Sequence, residues 1–239
     1  MPACFNLENQ GMKLHPLTEY IRRELAAQSN PDNAKAMQAY MKSVMPYYGV
    51  KSADQKKIYS AAFREFPVDS RELHEYLIRE LWDAKFREER YAAIGLAKKY
   101  PKYQTMDSLP LYRMMIETGA WWDFVDDIAA YLIGNLLSNF EVPMKEELKH
   151  WIKDEHLWIR RSAMLSQLRF KDRTDYRMLF DFCEQCLEEK SFWIRKAIGW
   201  SLREYSKTDP DRVREFVEKN RSRMAGLSVK EASKYIKNK

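Results

Sequence analysis

Glycine and proline are scarce in this sequence, 7 and 9 in 239 residues. Few positions are therefore suited to the tight turns that a many-stranded sandwich or barrel requires. Cysteine is scarcer still. Cys4, Cys183 and Cys186 are too few for a disulfide framework, which points to a reducing cytoplasm. No apolar run approaches the ~18 residues of a membrane span. Residues 1–10 lack the basic-then-apolar layout of a secretion signal. Composition excludes intrinsic disorder, because 45% of the chain is hydrophobic and 32% charged. The expectation is an all-helical cytoplasmic protein long enough to bury a continuous core.

What is present is unevenly placed. The chain carries 41 Lys/Arg against 35 Asp/Glu, a net charge of +6. Residues 1–144 hold 18 Lys/Arg against 19 Asp/Glu, and residues 145–239 hold 23 against 16. The whole basic excess thus falls in the last 95 residues. Together with seven Trp and fourteen Tyr, it suggests a nucleic-acid partner. An inert, solvated basic surface fits the charge equally well.

Helix starts are legible. Asn30-Pro31 and Asp209-Pro210 each set a capping side chain before a first-turn proline. Asp69 to Glu72 and Ser228 to Glu231 have capping-box spacing. Apolar periodicity predicts helices over 15–27, 31–45, 52–65, 70–82, 86–99, 107–118, 121–139, 144–153, 157–170, 173–189, 192–206, 210–220 and 229–237. Connections are mostly short, so neighbours should stack antiparallel. Residues 1–13 carry little pattern and read as a flexible arm before a single domain, 14–239.

A repeat is visible. Trp158-Ile-Arg-Arg-Ser-Ala recurs as Trp193-Ile-Arg-Lys-Ala-Ile, 35 residues on. Ala93-Ile-Gly95 echoes Ala197-Ile-Gly199 at close to three such periods. Two helices per period of this length read as an α-solenoid of HEAT-like helical repeats, with a concave basic face free for DNA. A duplicated amphipathic motif without solenoid stacking is the alternative.

On a helical wheel, Ile194, Ala197, Ile198, Ser201, Leu202 and Tyr205 form a core stripe. Trp193, Lys196, Trp200, Arg203 and Lys207 form a second stripe on the other side. Indoles interleaved with cations suit DNA, since cations neutralise phosphates and flat rings pack on sugars or bases. Burial against a neighbouring repeat is the alternative, strongest for Trp193. One repeat earlier, Arg161 occupies the position of Lys196. A guanidinium there can grip a phosphate through two parallel hydrogen bonds, or it can make a plain ion pair.

In Trp121-Trp-Asp-Phe-Val-Asp-Asp127 the core stripe is Phe124, Val125, Ile128, Leu132 and Leu136, which leaves Asp123 and Asp127 toward solvent. First-turn acids often only complement the helix dipole. Asp126 shares a helix edge with Trp122, four residues before it. A carboxylate beside an aromatic wall can stabilise positive charge on a sugar, as N-glycosidic hydrolysis through an oxocarbenium-like state requires. Cys183-x-x-Cys186 lacks a second ligand pair, and His15, His74, His150 and His156 form no ligand motif, so no metal or cofactor is expected. There is no P-loop, GxGxxG or GxSxG.

Taken together, Tyr40-Met-Lys42, Glu80-Leu-Trp-Asp83, Trp121 to Asp126, Trp158-Ile-Arg-Arg161, Lys196 to Tyr205 and Leu227 to Ala232 resemble the bacterial DNA alkylation repair glycosylases of the AlkD type. The resemblance spans about residues 15–237, and the KAIGW…LREY run is its most specific part. It implies a monomeric, cofactor-free enzyme that excises N3- or N7-alkylated purines, and possibly bulkier adducts, from duplex DNA without flipping the base. It places the catalytic aspartate at Asp126, DNA-facing tryptophans at Trp122 and Trp200, a phosphate-gripping arginine at Arg161 and a lesion-side tyrosine at Tyr40. Lys196, Arg203 and Lys207 fall on basic positions of the same surface. The sequence departs from the family in its N-terminal extension and in Asp127, where small polar residues are common. A non-catalytic HEAT-repeat binder of damaged or branched DNA is the runner-up, and a protein-interaction scaffold a third reading.

Overall fold

The computed structural model describes residues 14–236, and the arm expected over 1–13 lies outside them. Among the described residues every regular element is helical, and none is long and apolar enough to cross a membrane. The chain forms two compact units that divide between Lys99 and Tyr100, where the sequence reading took 14–239 as one domain.

The first unit holds α1 (Pro16–Ala27), α2 (Pro31–Met41), α3 (Ser52–Glu65), α4 (Arg71–Trp82) and α5 (Arg87–Lys99). Helix α1 packs on α3, and α4 on α5, over a core that includes Leu17, Ile21, Leu25, Leu77, Ile78 and Leu81. Asn30 caps α2 as its sequence implies, its side chain accepting from the Asn33 amide. At α4 the cap is Ser70, one residue after Asp69, because its hydroxyl reaches the Leu73 amide. Helix α2 stops at Met41, short of the expected 45, since Lys42 turns left-handed at φ 50°. The segment after it is pinned by the buried Glu88 carboxylate, which accepts from the Tyr48 and Gly49 amides at 3.1 and 2.9 Å.

The second unit contains α6 (Leu109–Gly119), α7 (Trp122–Asp127), a π-helical turn (Ile128–Ile133), α8 (Gly134–Asn139), α9 (Glu141–Trp151), α10 (Leu157–Leu165), α11 (Tyr176–Gln185), α12 (Phe192–Ser206), α13 (Pro210–Asn220) and α14 (Gly226–Ala232). The π turn, α10, α12 and α14 lie side by side in that order, each touching the next. Such stacking of successive inner helices is that of a helical-repeat solenoid. The 35-residue period of the sequence reappears in the bonding. Asp126–Arg161, Ser138–Arg173, Glu184–Lys219, Glu188–Arg223 and Lys196–Glu231 each join residues 35 apart.

Two glycines set how closely these helices approach. A side chain at Gly134 would meet the Ser166 carbonyl oxygen at 2.8 Å, so glycine lets the end of α10 come against α8. A side chain at Gly199 would meet Cβ of Glu231 at 2.6 Å, so glycine lets α14 sit on α12. The expected capping box at Ser228 is absent for this reason. Helix α14 begins earlier, at Gly226, and the Ser228 hydroxyl donates to the Arg195 carbonyl at 2.8 Å.

Candidate functional site

Both expected core stripes are buried: Phe124, Val125, Ile128, Leu132 and Leu136 on one side, Ile194, Ala197, Ile198, Ser201, Leu202 and Tyr205 on the other. Burying these stripes turns the opposite edges of α7 and α12 toward a common cleft of about 480 Å³. Trp122, Asp126 and Trp200 all line it, so the structure brings the proposed carboxylate and both indoles together. Asp123, Asp127 and Glu204 add three further carboxylates. Asp123 and Asp127, both expected toward solvent, thus belong to the same open cleft.

The π turn matters here. An i→i+5 turn uses more residues per revolution than an α-helix, so residues after Asp127 lag behind the regular wheel. Tyr131 is carried back toward the Trp122–Asp126 edge and lines the cleft. No feature of the sequence announces this turn. Leu168 and Arg169 enter from the segment after α10.

Asp126 is largely buried, and both its oxygens are held by one guanidinium. Arg161 donates from Nε to Oδ1 at 2.7 Å and from Nη2 to Oδ2 at 2.8 Å. Nη1 of the same arginine donates to the Trp193 carbonyl at 2.6 Å. Burial pushes the Asp126 carboxyl above the ordinary aspartate range. Arg161 pulls it down through hydrogen bonds and charge, while Asp123 and Asp127 push it up again by repulsion. The result is a carboxyl group fixed in place at the cleft wall, with acceptor capacity beyond the two bonds from Arg161.

A family model described as DNA alkylation repair enzyme matches residues 21–236. The chain belongs to the DNA alkylation repair enzyme family. It is similar to a solved structure from Enterococcus faecalis described as a predicted DNA alkylation repair enzyme. That protein is 28% identical at a TM-score of 0.82, over 89% of this chain and 98% of the other. AlkD2 from Streptococcus mutans shares the fold at 17% identity and a TM-score of 0.64, over 93% of this chain and all of that one. No curated protein matches the chain in sequence.

Within this repair-enzyme fold the expected DNA-facing cations are placed differently from the sequence reading. Arg161 was expected to grip a phosphate, but its side chain is only 3% exposed and its donors are taken by Asp126 and Trp193. Lys196 donates to Glu231 at 2.8 Å, and Arg203 reaches the same carboxylate at 2.6 Å. Lys207 donates to Glu204 at 2.6 Å. The wheel could not show the Glu231 partner, which sits on a different helix, although Glu204 lies three residues before Lys207 on the same one. Trp193 leaves the stripe as well. Its ring joins Trp121 and Trp158, with centroids 5.6 and 5.3 Å away, in an aromatic cluster. Tyr40 is 76% exposed in the last turn of α2, in the first unit.

The two paired cysteines in sequence are buried thiols. Cys183 packs its sulfur against Met164 at 3.6 Å, and burial pushes both Cys183 and Cys186 up, the latter to about 11. A thiol so raised stays protonated and unreactive.

Proposed function

We propose that this repair enzyme is a monofunctional DNA glycosylase. It hydrolyses the N-glycosidic bond of positively charged alkylated purines, N3-methyladenine and N7-methylguanine among them, in duplex DNA, and acts as a monomer on the cytoplasmic nucleoid. The observation that carries this reading is the anchored Asp126 carboxylate sharing one cleft with the indoles of Trp122 and Trp200.

The chemistry follows from the charge of the lesion. An alkylated purine is already cationic, so the bond from the sugar C1′ to the base nitrogen breaks with its electron pair leaving on the base. No general acid is needed. Positive charge then develops on the sugar, and Asp126 stabilises it at no cost of reorganisation because Arg161 has already fixed the carboxylate. Water adds at C1′, its proton passes to solvent or to Asp126, and an abasic site remains. Trp122 and Trp200 pack on the deoxyribose and backbone. The open cleft holds these groups against the edge of the duplex, so the base stays stacked instead of being extruded.

The carboxylates of Asp123, Asp127 and Glu204 favour a cationic lesion over a neutral base by charge alone. The decisive experiment is incubation with methylated duplex DNA, monitoring free methylpurine. Release of 3-methyladenine or 7-methylguanine, with abasic sites left behind, is expected. Binding without release from either lesion would leave a non-catalytic binder of damaged or branched DNA.

A further inference from the structure

The cations expected to hold DNA are already spoken for: Arg161 by Asp126, Lys196 and Arg203 by Glu231, Lys207 by Glu204. The cleft itself is lined by four carboxylates, which repel a phosphate backbone. One basic side chain lines it, that of Arg169. Among the described residues Arg169 has no carboxylate partner. Its guanidinium lies over the Tyr131 ring, 3.9 Å from the centroid.

This stack has a specific effect. The ring orients the planar fork without neutralising it or occupying its in-plane donors. Two backbone devices bring the pair to the cleft. The π turn swings Tyr131 in from one side. From the other, the close approach of Gly134 to the Ser166 carbonyl fixes the start of the turn that follows α10 and carries Arg169.

We propose that Arg169, oriented by Tyr131, binds the DNA backbone phosphate next to the reacting nucleotide and so positions its sugar against Asp126. Arg169 is a positioning residue, and its role in excision rests on the glycosylase reading above. A guanidinium takes a phosphate through two parallel hydrogen bonds, and here the phosphate would replace solvent on an exposed, pre-oriented donor set.

The test uses the full chain with Arg169→Ala, Arg169→Lys, Tyr131→Leu and, as a control, Arg212→Ala. Arg212 also lies over a tyrosine, 4.1 Å from the Tyr176 centroid, but it is paired with Asp209 and does not line the cleft. Affinity for an unmodified duplex is measured against salt, and single-turnover excision is measured on a methylated duplex at saturating protein. Arg169→Ala should lower the slope of log affinity against log salt by about 0.9 and weaken binding about tenfold at low salt. Arg169→Lys should keep the slope but excise more slowly, and Tyr131→Leu should weaken binding with the slope kept. An unchanged slope in Arg169→Ala, or an equal fall in Arg212→Ala, overturns the phosphate contact. A lowered slope with undiminished excision overturns the positioning role. Because the slope is read on undamaged DNA, a wild-type protein that releases no base sinks the glycosylase reading and leaves the phosphate contact standing on its own measurement.

Discussion

Asp126 and Arg161 occupy the same register position one repeat apart, and their side chains meet through two parallel hydrogen bonds of 2.7 and 2.8 Å. The next two positions at that spacing, Lys196 and Glu231, pair in the reverse polarity at 2.8 Å. One site in the repeat therefore serves two ends. In the first pair a buried cation fixes an acid at the cleft, and in the second a buried acid holds cations to the last helix.

Replacing Asp126 by Asn should abolish most excision. Losing one preorganised charge costs on the order of 100-fold or more in rate. The Asn amide also turns a donor toward the donors of Arg161, so stability should fall by about 2 kcal/mol while duplex affinity is kept. Single-turnover rates on a duplex with one N7-methylguanine check this, with Asp127→Asn as the comparison. Equal losses in both would mean that the wrong carboxylate has been assigned.

Arg161→Ala should also lose excision, but without changing the salt slope of DNA binding, because the guanidinium is buried on Asp126. Removing one partner of a buried pair should lower stability by about 3 kcal/mol. A fall of the slope by about one unit would instead place Arg161 on a phosphate.

The pH profile of excision should report Asp126 directly. Its folded pKa is raised, so its charge is lost as pH falls through a value above the ordinary aspartate range, and activity should fall with it. Asp123 and Asp127 both contribute to that rise by repulsion. Asp123→Asn and Asp127→Asn should each move the acid limb of the profile downward. An acid limb at the ordinary value, unmoved by either change, would show that Asp126 is not the titrating group.

The tryptophans should separate into two behaviours. Trp122→Ala and Trp200→Ala should slow excision with the cooperative thermal transition retained, since both rings line the open cleft. Trp193→Ala should instead lower stability by about 2 kcal/mol, because its ring packs between Trp121 and Trp158. Thermal unfolding beside single-turnover kinetics distinguishes them.

Glu231 is held down to about 2 by hydrogen bonds from Lys196 and Lys234. Its contribution to stability is therefore complete above the ordinary glutamate pKa of 4.5 and is lost as pH falls through about 2. Glu231→Gln should cost about 2 kcal/mol at neutral pH. The deficit should shrink between pH 4.5 and 2. The same change frees Lys196 and Arg203, so affinity for unmodified duplex should rise. A constant deficit across that pH range in chemical denaturation would contradict the assignment.

Much of this was legible in the sequence because local periodicity determines which stripe of a helix is buried. The core stripes of α7 and α12 follow from spacing alone, and so do the shared edge of Trp122 and Asp126 and the place of Trp200 opposite the α12 core, whereas their common site was implied only by the family resemblance. The caps at Asn30 and Asp209 are equally local. What sequence does not encode locally is the partner. Lys196 and Arg203 look free on a wheel because Glu231 arrives from another repeat, through a gap that only Gly199 leaves open. Arg169 escaped notice for the opposite reason. It lies beyond the last turn of α10, where no periodicity applies, and its ring partner is displaced by a π turn that composition does not mark.

The carbonyl contact at Trp193 gives the proposed site a minimum length of chain. Asp126 is held by Arg161 from the following repeat, and Arg161 leans on the first turn of α12, one repeat further still. Helix α12 is in turn covered by α14 through Gly199. A fragment ending before residue 192 would keep the acid and its counter-ion but lose the brace behind them. The smallest piece able to hold the Asp126 carboxylate in this way thus runs from α7 to α14, although the groups proposed to react amount to a handful of side chains.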